Sequence, residues 1–120
     1  MKTLVLLLGL AAACYAQSVH SVTLSWTDTQ NPSGTTYNAW RASGACPATP
    51  PTTTPPAGFT QLNTTPITAM TYLDTAVTAG DTYCYVITAV GPNGQSVPSG
   101  DAGATVPAAF PVSGLTVTVR

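Results

Sequence analysis

The chain has 120 residues, enough for one domain, and carries three Lys/Arg, four Asp, no Glu and one His, for a formal net charge of −1. So few cations cannot build the phosphate-neutralising surface that nucleic acids require, nor the polybasic segment that holds a chain on an anionic membrane, so neither partner is expected. The 22 threonines, 11 prolines and 10 glycines favour strands and turns over helices.

At the N-terminus Lys2 precedes an apolar run from Leu4 to Ala13, and the small-x-small triplet Cys14-Tyr-Ala16 stands before Gln17. This is the pattern of a cleaved export signal over residues 1–16. The run is shorter than the roughly 20 residues of a membrane-spanning helix, so a secreted or cell-surface chain without membrane insertion is expected. Ala11-Ala-Ala-Cys14 is also a loose lipid-attachment motif, which leaves lipidation of Cys14 open as the other processing route. In either case Cys46 and Cys84 remain as a pair suited to an oxidising compartment, and one disulfide between them is expected. His20 and these two cysteines form an incomplete zinc set, and the chain has no Cys-x-x-Cys, so neither a metal nor another cofactor is expected.

Beyond the leader, Val22, Leu24 and Trp26 alternate with Thr23 and Ser25, the period of a half-buried strand. Asp28 to Gly34 supplies turn chemistry before a second strand over Tyr37 to Ala42. Residues 44–58 are proline-rich and cannot join a ladder, so they read as a long extended loop. Their threonines offer acceptors for O-linked sugars, although a spacer is the simpler reading. Phe59 to Asn63 and Met70 to Thr75 are short strand candidates, and Asn63-Thr-Thr65 fits the N-glycosylation pattern. Tyr83 to Ala89 alternates again, Gly91-Pro-Asn-Gly94 forms a tight turn, and Gln95 to Val106 is expected to return as one strand.

Three segments, Val22-Thr-Leu-Ser-Trp26, Tyr37-Asn-Ala-Trp-Arg41 and Val77-Thr-Ala-Gly-Asp-Thr-Tyr83-Cys-Tyr-Val-Ile87-Thr-Ala89, in this order resemble the strand motifs of a fibronectin type III domain. The resemblance covers residues 20–106, within a domain taken as residues 17–106. It implies an all-β, immunoglobulin-like sandwich of about seven strands, with Trp26, Tyr37, Tyr83 and Tyr85 as core signature residues. It also implies a tyrosine corner in which the Tyr83 hydroxyl bonds a backbone group, with Ala79 where the family usually has proline. On this alignment Tyr37, Ala39, Tyr83, Tyr85, Ile87 and Ala89 point inward. Cys84 then lies on the outer face, within reach of a folded-back proline loop carrying Cys46. Trp40 falls on the outer face too, a candidate platform for a sugar ring or a partner protein unless the disulfide or proline loop covers it. The turn at residues 91–94 lacks Arg-Gly-Asp, so integrin-type recognition is not implied.

Both ends depart from the family pattern. Only Gln17 to His20 precede Val22 after leader removal, so the first strand of a complete domain is short or missing. Residues 107–120 resemble a linker and the opening strand of a following domain, with Leu115, Val117 and Val119 alternating with Thr116 and Thr118. A frayed tail or a truncation stump is one reading, and a strand at 113–120 donated to a neighbouring molecule is the other, giving a homo-polymer. Function is therefore expected to be that of a non-catalytic extracellular structural or adhesion module. The alternatives are a self-assembling subunit and a carbohydrate- or protein-binding module around Trp40. Catalysis is not expected from one histidine, four aspartates read as turn caps and no nucleophile motif, while Arg41 reads as a solvated side chain.

Overall fold

Period-two alternation and turn residues resolve into seven strands in a computed structural model, which describes residues 20–108 and 114–119. These are β1 (Val22–Ser25), β2 (Thr36–Ser43), β3 (Thr60–Gln61), β4 (Thr71–Asp74), β5 (Thr82–Gly91), β6 (Gly94–Gln95) and β7 (Ala102–Thr105). The fold is all-β, with no helix among the described residues. The expected leader over residues 1–16, Cys14 and residues 109–113 lie outside the described residues.

Two antiparallel sheets form. In the first, β1 pairs with β4 from Val22↔Asp74 to Ser25↔Thr71. The Trp26 amide extends this ladder by donating to the Met70 carbonyl at 3.2 Å. In the second, β5 pairs with β2 from Thr36↔Val90 to Ser43↔Tyr83, β3 lies on the far side of β2, and β6 and β7 share the other side of β5. Aromatic and β-branched residues fill β5, and its ten residues make it the spine of the molecule.

The single strand expected from Gln95 to Val106 is interrupted. Between β6 and β7, Pro98 has no amide to donate. Here Ser96 and Ser99 take over the ladder: their amides donate to the Ala89 and Ile87 carbonyls at 2.8 Å, and their hydroxyls accept the Ala89 and Ile87 amides at 2.9 and 3.0 Å.

The sheets meet over Tyr83, Tyr85 and Val106, against which Val22, Leu24, Leu62, Val77 and Ala104 pack. Trp26 approaches Tyr37 edge-on, with ring centroids 5.4 Å apart. A second buried layer lies on the opposite face of the larger sheet, where Trp40, Cys84, Val86 and Thr88 are all buried. The proline loop accounts for it. The Cys46–Cys84 disulfide ties the start of the loop to β5, Thr54 Oγ1 donates to the Ser96 carbonyl at 2.7 Å near its end, and Pro56 is fully buried.

Candidate functional site

Arg41 is not the solvated side chain expected of a strand end. Its inward parity with Tyr37 and Ala39 sends the guanidinium between the sheets, where Nη1 contacts both carboxylate oxygens of Asp74 at 2.9 and 3.2 Å and donates to the Ala76 carbonyl at 3.1 Å. Its head also stacks over the Tyr83 ring, 4.9 Å from the centroid. Asp74, only 3% exposed, further accepts the Tyr85 hydroxyl at 2.8 Å and the Ala76 amide at 3.1 Å. One carboxylate on β4 thus joins the smaller sheet to two strands of the larger one. Burial, followed by the bond to Asp74, pushes the Tyr85 phenol well above its ordinary value. For Arg41 burial is the largest influence and acts downward, but the bond to Asp74 together with the charges of Asp74, Tyr85 and Tyr83 holds the guanidinium above its ordinary value.

Tyr83 accepts the Thr78 amide on its hydroxyl at 2.9 Å, bracing the turn that leads into β5. At the opposite pole Asp28 accepts the Gln30 and Asn31 amides at 3.1 Å, the Asn31 side chain at 2.8 Å and the Tyr37 hydroxyl at 2.8 Å. These bonds, the Asn31 side chain's foremost, lower its carboxyl from 3.8 to about 2. Here the turn-capping role expected of the aspartates is seen directly.

Two outward-facing expectations are corrected. Trp40 is only 7% exposed, because the proline loop roofs its face of the sheet, so it offers no open platform. Its Nε1 donates to Thr88 Oγ1 at 3.0 Å, which donates in turn to Gln95 Oε1 at 2.7 Å. Asn63 is 8% exposed, with Nδ2 donating to Asn38 Oδ1 at 2.8 Å and the Thr65 carbonyl at 2.9 Å, and Oδ1 accepting the Ala39 amide at 2.9 Å. The amide nitrogen that a glycan would need is committed to the fold.

Cys46, Cys84 and Asp101 bring their ligand atoms within 4.8 Å of one another, but the two sulfurs are bonded to each other and are not thiolates. His20 is half-buried ahead of β1, apart from this group.

An open groove of about 530 Å³ runs beside β1. Its walls are consecutive residues 22–27, residues 85–87 of β5, and residues 99, 100 and 102–104 at β7, with nothing contributed by β4. It therefore lies between the edge of β1 that faces away from β4 and the edge of β7 that faces away from β5. Neither edge has a strand partner among the described residues. Trp26 lines it, and the Trp26 Nε1 is closed off from solvent with no acceptor among the described residues. Leu115, Val117 and Val119 are 81%, 79% and 87% exposed. No family model matches this chain, and no curated protein is significantly similar to it.

Proposed function

We propose that the chain is a non-catalytic structural or adhesion module, an immunoglobulin-like sandwich of the fibronectin type III type that works outside the cytoplasm. The observation that carries this reading is the use of its scarce reactive side chains as cross-links between layers. Arg41, Asp74 and Tyr85 tie sheet to sheet, and Cys46 and Cys84 tie loop to sheet. The Tyr83 hydroxyl holding the Thr78 amide supports the family resemblance, since a tyrosine corner makes that kind of bond. A disulfide persists in exported proteins and is rare where thiols are kept reduced, which supports the compartment.

The test is to express the chain with its leader in an exporting host and to measure intact mass and thiol reactivity in each cell fraction. Cleavage after Ala16, or a lipid mass on Cys14, together with an unreactive Cys46–Cys84 pair, is expected. Recovery from the cytoplasm with both thiols reactive would overturn the proposal.

A further inference from the structure

The groove beside β1 has the dimensions and lining of a missing strand. Its floor is apolar, formed by Tyr85 and Ile87, and β1 turns Val22 and Leu24 toward the core that Tyr85 and Tyr83 begin. An incoming strand would need a free backbone and an apolar side chain at every second position. Residues 114–119 have both: they are exposed, belong to no strand of their own molecule, and alternate Leu115, Val117 and Val119 with threonines. An alternating strand left unpaired is a template for association.

The geometry points to residues 114–119 of a second copy of this chain as the occupant of the groove, running antiparallel to β1 and making a head-to-tail assembly. This rests on the reading of the chain as a structural module. The facing residues follow from the pattern. With Val117 opposite Leu24, Leu115 meets Trp26 and Val119 meets Val22, so all three apolar side chains enter the groove. Thr116 and Thr118 then stand outward beside Ser25 and Thr23.

Geometry favours another copy over the chain's own tail. Val106 belongs to the cluster with Tyr83 and Tyr85 against which Val22 and Val77 pack, and the Gly80 amide donates to the carbonyls of both Val106 and Pro107. The chain therefore leaves the domain at the pole where β1 begins. Ala108 still lies beside Gly80. An antiparallel partner of β1 must start at the other pole, next to Trp26. From Ala108 to Leu115, the residue that would have to face Trp26, seven residue steps reach at most about 25 Å when fully extended. They would have to span the roughly 13 Å from Val22 to Trp26, cross sideways from Gly80 and reverse direction. A neighbour's tail enters without that constraint, and because the contact joins two different surfaces it does not close on itself.

Light scattering on the exported chain should show a mass that climbs with concentration, and Val117→Asp should hold it at the monomer. The substituted side chain is exposed, so the disulfide and the circular dichroism should be unchanged. Register is tested by mixing a tagged chain carrying Thr23→Cys with one carrying Thr118→Cys under mild oxidation. Cross-linked heterodimer is expected, with at least about fivefold less when Ser25→Cys replaces Thr23→Cys. A monomer at every concentration, assembly indifferent to Val117→Asp, equal cross-linking at both positions, or closure within one chain carrying both cysteines would each overturn strand donation. None of these results bears on the export and disulfide measurements that test the module itself.

Discussion

Asp74 shows how much a single side chain carries in a domain with so few charges. Its carboxylate holds Arg41, the Tyr85 hydroxyl and the Ala76 amide at once. Asp74→Ala would leave a guanidinium and a phenol between the sheets without their partner, and should cost about 2–4 kcal/mol in denaturant unfolding. The figure sits below that of a fully enclosed pair because the Arg41 side chain keeps 23% of its exposure. Trp40 is a separate case, since sequence parity put it on the correct face of the sheet and left open whether the disulfide and proline loop cover it, which they do. As a buried side chain it should lose about 3–5 kcal/mol on replacement by alanine, whereas an open platform residue would lose almost nothing. Equilibrium unfolding of Trp40→Ala separates the two. Arg41 was legible in the same way: its inward parity with Tyr37 and Ala39 is visible in the sequence, but a charged residue on that face predicts a partner only once β4 is known to pass beneath it.

The strands differ sharply in how they are held. β2 and β5 share an eight-residue register inside the larger sheet, while β1 has only β4 and an open edge among the described residues. Hydrogen exchange should therefore be slowest for amides in β2 and β5 and faster in β1, most of all for the β1 amides that point away from β4. Equal protection in both sheets would contradict this. Beyond Gly44, whose amide still donates to the Thr82 carbonyl at 2.8 Å, the proline loop joins no strand and is held by the disulfide, the Thr54 bond and buried Pro56. In the chain-entropy description, reducing a bridge across 38 positions removes about 4 kcal/mol. Thermal or denaturant midpoints with and without reductant should fall accordingly. The loss of cover over Trp40 should also appear as a red shift of its fluorescence, alongside the signal from Trp26.

For the whole molecule, the scarcity of charge makes the dependence of stability on pH traceable to few groups. Asp28 has its carboxyl lowered from 3.8 to about 2 by its bonds to Asn31, Tyr37 and Gln30. A lowered carboxyl stabilises the fold above its unfolded value, so this contribution is complete above about pH 4 and is lost as pH falls toward 2. Tyr85 is raised above 10, first by burial and then by Asp74. A raised phenol stabilises the fold below its unfolded value, so stability should decline as pH climbs past about 10. Denaturant midpoints across pH should fall at both ends, with Asp28→Asn flattening the acid limb and Tyr85→Phe the alkaline one. An unchanged alkaline limb in Tyr85→Phe would shift the cause to another group. The all-β class and the position of most strands were legible in the sequence, because alternation, turn residues and a threonine-rich composition are local properties. So was the Cys46–Cys84 pair, which follows from parity. The roofed second face, the sequestered Asn63 amide, the interrupted final strand and the Arg41–Asp74 link are decided by contacts between residues distant in sequence. The groove beside β1 is likewise a product of packing, since its walls come from β1, β5 and β7 together. Periodicity reports which face of a strand a side chain takes, and only the packed chain determines what lies against that face.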